Sequence, residues 1–129
     1  MLLLTMIFGG LAAAIHIYIF VLESAAWDRA STRKAFGIRS DAEAAATRPL
    51  AFNQGFYNLF LAILVGLGMV LFLAGSSVAG ATLFFAGTGS MCAAALVLLF
   101  SSPQLARAAF TQLAAPAVGI ILGLFALTS

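Results

Sequence analysis

Charge is what this sequence has least of. Its 129 residues include six Lys or Arg and four Asp or Glu, 8% of the chain, against 64% hydrophobic. A soluble domain of this length carries about 25% charged residues to cover its surface. A water-soluble globule is therefore excluded, and the mean hydropathy of +1.14 makes lipid the solvent for most of the chain. Cysteine is nearly absent. The one thiol, Cys92, cannot close an intramolecular disulfide and reads as a small buried hydrophobe. One histidine, one cysteine and one intramembrane glutamate lack the ligand spacing of a zinc or haem site, so no metal and no cofactor is expected. No Gly-rich phosphate loop occurs, and no Ser/His/Asp set falls at one depth. Six basic residues in a lipid-embedded chain do not build a nucleic-acid surface, and no nucleic-acid partner is expected.

What is present is four apolar blocks, spanning about 1–27, 50–73, 78–100 and 105–127. Each approaches the roughly 20 residues that an α-helix needs to cross about 30 Å of hydrocarbon. A membrane β-barrel would show segments of about ten residues with alternating polarity. These blocks are continuously apolar and rich in Ala, Leu and Gly. The expected fold is all-α and integral to the membrane: an antiparallel up-down four-helix transmembrane bundle, a single domain over 1–129. Block one has no basic residue ahead of its apolar run and outlasts a signal-peptide core, so it reads as a retained span.

Orientation follows from the basic residues. Arg29, Arg33, Lys34, Arg39 and Arg48 lie in the loop 28–49, and Arg107 lies between spans three and four. Those two loops share a side. The positive-inside rule puts both in the cytosol and both termini outside. The basic loop suits anionic lipid head groups, so membrane lipid is an expected partner. Within it Ser40-Asp41-Ala42-Glu43 has the S-x-x-E pattern of a capping box. A short helix over 41–47 is expected, with Pro49 in the first turn of span two and the rest of the loop a solvated connector.

The helix faces locate the polar residues. In span one Gly9, Ala12, Ala13, His16, Glu23 and Trp27 share a stripe at 3.6-residue spacing. Span two opens with Asn53, Gln54, Tyr57 and Asn58, two pairs four residues apart. Span three places Gly80, Phe84, Gly87, Met91, Ala94 and Leu98 on a packing stripe. Span four has a small-residue stripe from Ala108 through Gln112 and Ala115 to Gly119 and Gly123, a G-x-x-x-G contact pattern that leaves room for a homodimer. Pro116 has no N–H, so the carbonyl of Gln112 loses its usual helical partner.

Polar groups in hydrocarbon cost free energy unless partners meet them. Glu23, Asn53, Gln54, Tyr57, Asn58 and Gln112 are therefore expected to converge near the cytosolic end, with Trp27 at the rim and His16 deeper. As a set they read as ligand-binding residues, Glu23 supplying the charge. The first reading is that the protein binds or translocates a small amphipathic molecule or lipid through an inner-leaflet polar pocket. The second is an intramembrane isomerase acting on an apolar substrate, with Glu23 and His16 as acid–base groups. The third is a structural or interaction subunit whose polar cluster only fixes helix packing. The residues leave open whether the chain is an enzyme.

The motifs also carry a resemblance. Glu23-x-x-x-Trp27 closing span one, Asn53-Gln54-Gly55-x-Tyr57-Asn58-x-Phe60-Leu61-Ala62 in span two and Gln112-x-x-x-Pro116-Ala117-x-Gly119 in span four resemble a family of small bacterial four-helix membrane proteins, domain of unknown function thirteen-zero-four. The resemblance covers nearly the whole chain, and the span-two motif is its most specific part. It implies the same fold and a bacterial cytoplasmic (inner) membrane location, and it implies no activity. The orientation is testable. Reporters fused at either terminus are expected to report the outside, and one inserted in the loop 28–49 the cytosol. A terminus that reports the cytosol contradicts the positive-inside assignment.

Overall fold

The structure, a computed structural model, describes residues 1–128. Helix α1 covers Leu2–Phe20 and runs into a π-helical turn, Val21–Ala25. Helices α2 (Ala30–Phe36), α3 (Asp41–Leu73) and α4 (Ser77–Ser101) come next, then a 3-10 turn at Pro103–Leu105 and α5 (Ala106–Thr128). Four of these helical stretches are long and apolar enough to cross a membrane: Leu2–Ala25, Asp41–Leu73, Ser77–Ser101 and Pro103–Leu127. The protein is a multi-pass membrane helical bundle.

The four helices form a ring. α1 packs on α3 and α5, α4 packs on the same two, and the α1–α4 diagonal is little used. Lipid removes the hydrophobic drive for helices to associate, so close van der Waals fit does that work, and small residues permit it. Helices α3 and α4 touch backbone to backbone. A Cβ built on Gly80 would lie 2.4 Å from the Phe72 amide nitrogen, and one on Gly68 would lie 2.6 Å from that of Phe84. Phe84 crosses the centre of the ring to Gly9, where a Cβ would sit 2.5 Å from its ring. Ala12, Val65, Phe84, Met91 and Ala115 make up the buried core. On α4 the stripe is as expected except that Ala95, not Ala94, is buried.

The G-x-x-x-G stripe of α5 faces α1 inside the bundle. Gly119 lies against Gly9, and Gly123 against Thr5 and Phe85. Both glycines are buried within one chain, so they are not on a surface free to meet a second copy.

Two expectations about the loop 28–49 are corrected. First, no break separates a short helix from span two, because α3 runs unbroken from Asp41 through Pro49. Ser40 caps it by accepting from the Glu43 amide at 3.1 Å, and the Glu43 carboxylate accepts from the Arg39 amide at 2.8 Å. Ala44-Ala45-Ala46 favour helix strongly. The carbonyl that Pro49 leaves without a donor belongs to Ala45, an exposed residue that water can serve. Second, the loop is folded and not merely solvated. Gly37 ends α2 at φ 72°, a left-handed value that glycine adopts without strain. Asp28 pairs with Arg33 at 3.7 Å and also with Arg48, and Arg33 pairs with Asp41. Exposed pairs of this kind each contribute about 0–1 kcal/mol; together they hold α2 across the basic end as a cap.

The backbone contact between α3 and α4 predicts that Gly80→Ala lowers the thermal stability of the protein in nanodiscs. Overpacking of this kind costs about 1–3 kcal/mol. Gly89→Ala, whose Cβ meets nothing within 4 Å, is expected to leave the midpoint unchanged or slightly raised. Equal effects from the two substitutions would contradict the packing described.

Candidate functional site

The polar stripe of α1 organises the basic half of the bundle in three layers. The outermost layer is Trp27. Its ring is buried and lies 5.2 Å from that of Phe36 on α2. Its Nε1 donates to the Ala44 carbonyl at 3.1 Å, tying the end of span one to the first turn of α3. Trp27 is thus a joint under the cap. Thr32 of α2 is also buried here.

The middle layer is Glu23. It sits in the π-turn, where the Ala26 amide donates to the Val21 carbonyl five residues back, at 2.9 Å. A π-turn fits one extra residue into the helix and rotates the residues after it. The turn rests on Gly55 of α3, where a Cβ would be 2.1 Å from Ser24 Oγ and 3.1 Å from Glu23 Cβ. Across this contact Asn58 Nδ2 donates to Glu23 Oε2 at 2.9 Å, and Ser24 Oγ donates to the Phe52 carbonyl at 3.0 Å. Glu23 and Asn58 are each 8% exposed. Among the described residues Glu23 makes no ion pair. A buried carboxylate facing a single neutral donor is incompletely compensated, and a cation or further donor would complete it.

The deepest layer is His16, which has no exposed surface. It lies seven residues from Glu23, about 10 Å of helical rise. Its Nδ1 donates to the Ala12 carbonyl at 2.9 Å, since a carbonyl can only accept.

The expected convergence is realised in part. Glu23 and Asn58 meet. Tyr57 does not join them: it is 62% exposed and its ring contacts Phe60. Asn53 and Gln54 are exposed as well, although the Gln54 backbone carbonyl accepts from Asn58 Nδ2 at 3.1 Å. The inward stripe of α3 is Ala51, Gly55, Asn58, Ala62, Val65 and Gly68. Of the four polar side chains, only Asn58 lies on it. Gln112 is half-buried but at another depth. The contacts of Thr5 with Gly123 and Gly9 with Gly119 set the α1–α5 register. That register puts Gln112 level with His16, not with Glu23.

Two neighbours of the site escape a reading of the sequence. Ser24 is signalled only by its place beside Glu23 at a span end. Thr32 carries no signal, because nothing in a polar, charged loop marks one threonine for burial. A small apolar cleft lies at the opposite end of the bundle, between Thr5, Met69, Phe72, Gly80, Phe85 and Gly123. It takes in none of the eight candidate residues.

This placement of Glu23, Asn58 and Gln112 on a four-helix membrane frame can be set beside known proteins. The family model described as Protein of unknown function (DUF1304) matches residues 10–124. The chain belongs to this family. The DUF1304 match takes in every layer of the polar stripe, from His16 through Trp27, together with the α3 segment that meets it and Gln112 of α5. Comparison with curated proteins and with solved structures gave no match.

The Glu23–Asn58 contact predicts that Asn58→Leu destabilises the protein by about 1–3 kcal/mol, because it leaves a buried carboxylate oxygen without its donor. Combining it with Glu23→Leu is expected to recover part of that loss. Thermal unfolding in nanodiscs reads both. Additive losses would contradict the bond.

Proposed function

We propose that this protein binds, and passes along the bundle, a small amphipathic molecule or lipid whose polar group is recognised by Glu23 beneath the α2 cap. The observation that carries this is the buried Glu23 carboxylate, set in a π-turn against Gly55 and met by one amide and no cation. Such a group in a membrane helix is expensive, and it marks a functional position more often than a packing one. An amphipathic cation fits best, since it supplies the missing charge while its apolar tail stays in lipid. In this reading both termini lie outside a bacterial cytoplasmic membrane, and Glu23 faces the inner leaflet. Entry requires the cap to shift, and Trp27, bonded to Ala44 and met by the tilted ring of Phe36, is the piece that must move.

The two-turn separation of His16 from Glu23 weighs against their acting together on one bond, so binding is favoured over isomerase chemistry. The scaffold reading has one observation in its favour: the Glu23–Asn58 bond by itself ties α1 to α3. In the scaffold reading no amphipath stabilises the protein.

Ligand-induced thermal stabilisation in nanodiscs separates these readings, with dodecylamine as the probe. The wild type is expected to be stabilised saturably. Glu23→Gln, which keeps the shape and removes the charge, is expected to bind at least about tenfold more weakly, the loss of one charge-assisted contact. Equal affinity in the two proteins contradicts the role given to Glu23, and no stabilisation of either favours the scaffold.

A further inference from the structure

His16 is tied at only one of its two ring nitrogens. Nδ1 carries the hydrogen donated to Ala12, so in the neutral ring Nε2 presents a lone pair. Nε2 is buried and has no hydrogen-bond partner among the described residues. Native interiors rarely leave such an atom unmet, and each exception calls for a physical reason.

The surroundings supply one. On α5, Gln112 reaches the depth of His16 through the register set by Thr5 against Gly123 and Gly9 against Gly119. Gln112 is half-buried, and no described residue forms a hydrogen bond with its side-chain amide. Its backbone carbonyl lacks an α-helical donor because Pro116 has no N–H. On α4, Thr88 is fully buried, but its hydroxyl is occupied by the Phe84 carbonyl at 2.7 Å. At one depth in the hydrocarbon, then, one imidazole lone pair and one side-chain amide have no partner among the described residues, beside a carbonyl that Pro116 deprives of its usual helical donor. The neighbouring core holds the small Ala12 and Ala115 and the flexible Met91 beside the branched Val65, and Met91 is the member that yields most readily.

We infer that His16 and Gln112 form a second binding station, which takes the hydroxyl group of an uncharged lipid-like alcohol arriving from the membrane past the half-exposed Gln112. The hydroxyl donates to His16 Nε2 and accepts from the Gln112 amide. An ammonium group is disfavoured here, because the carboxylate of Glu23 is about 10 Å further along α1 and an unpaired charge is costly at this depth. A neutral hydroxyl needs no counter-charge. The station stands whether or not Glu23 recognises a ligand of its own.

His16 is the only histidine in the chain, so labelling with 15N-histidine gives a single imidazole to observe. The test is 15N magnetic resonance of the protein in nanodiscs, titrated with hexadecanol and, separately, with its methyl ether. Nε2 is expected to appear as an unprotonated nitrogen. Its signal is expected to move saturably towards the hydrogen-bonded position with the alcohol and to stay still with the ether. Gln112→Leu is expected to raise the half-saturating alcohol concentration several-fold, while Gly89→Ala, whose Cβ meets nothing within 4 Å, leaves it unchanged. The inference is overturned if Nε2 bears the hydrogen or if alcohol and ether act alike. It is also overturned if Gln112→Leu binds as the wild type does, or if the signal is already at the hydrogen-bonded position and unmoved by alcohol, which assigns Nε2 to water.

Discussion

A carboxylate held inside a membrane bundle by one neutral donor is the constraint on which the basic half of this structure depends. Glu23 cannot reach Asn58 unless α1 and α3 come very close, and Gly55 is the residue that allows it, since any side chain there would strike Ser24. The π-turn carries Glu23 and Ser24 on the face that meets α3, so both polar side chains find acceptors or donors across the contact. The same turn leaves Trp27 facing the start of α3, where it bonds the Ala44 carbonyl and receives Phe36 from above. The folded cap is thus a consequence of how the end of span one is wound.

The other half of the bundle obeys a different rule. Contact there is between small residues and backbone, through Gly68, Gly80, Gly9, Gly119 and Gly123. Without a hydrophobic drive between helices in lipid, this close fit decides the stagger of one helix on another. Stagger in turn decides which polar residues share a depth. The contact of Gly9 with Gly119 is therefore what sets Gln112 level with His16 and not with Glu23, which meets Asn58. Packing at one end of the molecule assigns chemistry at the other.

Much of this is legible in the residues. Hydropathy reveals the four spans, and the spacing of Gly9, Ala12, His16, Glu23 and Trp27 marks the inward stripe of α1. The turn of four polar residues in span two points to α1, and Asn58 does meet Glu23. What cannot be read is which edge of that turn faces inward. Asn53, Gln54 and Tyr57 lie close to the basic end of the span, where polar side chains find head groups, so burial is not forced on them. The better guide is the small-residue stripe Ala51, Gly55, Asn58, Ala62, which holds only one of the four. The depth of Gln112 depends on helix stagger, and the π-turn on a one-residue change of winding, and neither leaves a periodic trace in a single sequence. The cap escapes because a polar, charged segment reads as solvated until its ion pairs and its tryptophan joint are seen together.

The central claim, that Glu23 is held ready for a ligand group and is not merely a packing residue, is tested most directly by a high-resolution structure in nanodiscs drawn from native membrane. The account predicts non-protein density under the α2 cap, within hydrogen-bonding distance of the Glu23 carboxylate, and loss of that density in Glu23→Gln. A carboxylate whose two oxygens are met only by protein groups, with the cap closed and the same density in both proteins, would contradict it.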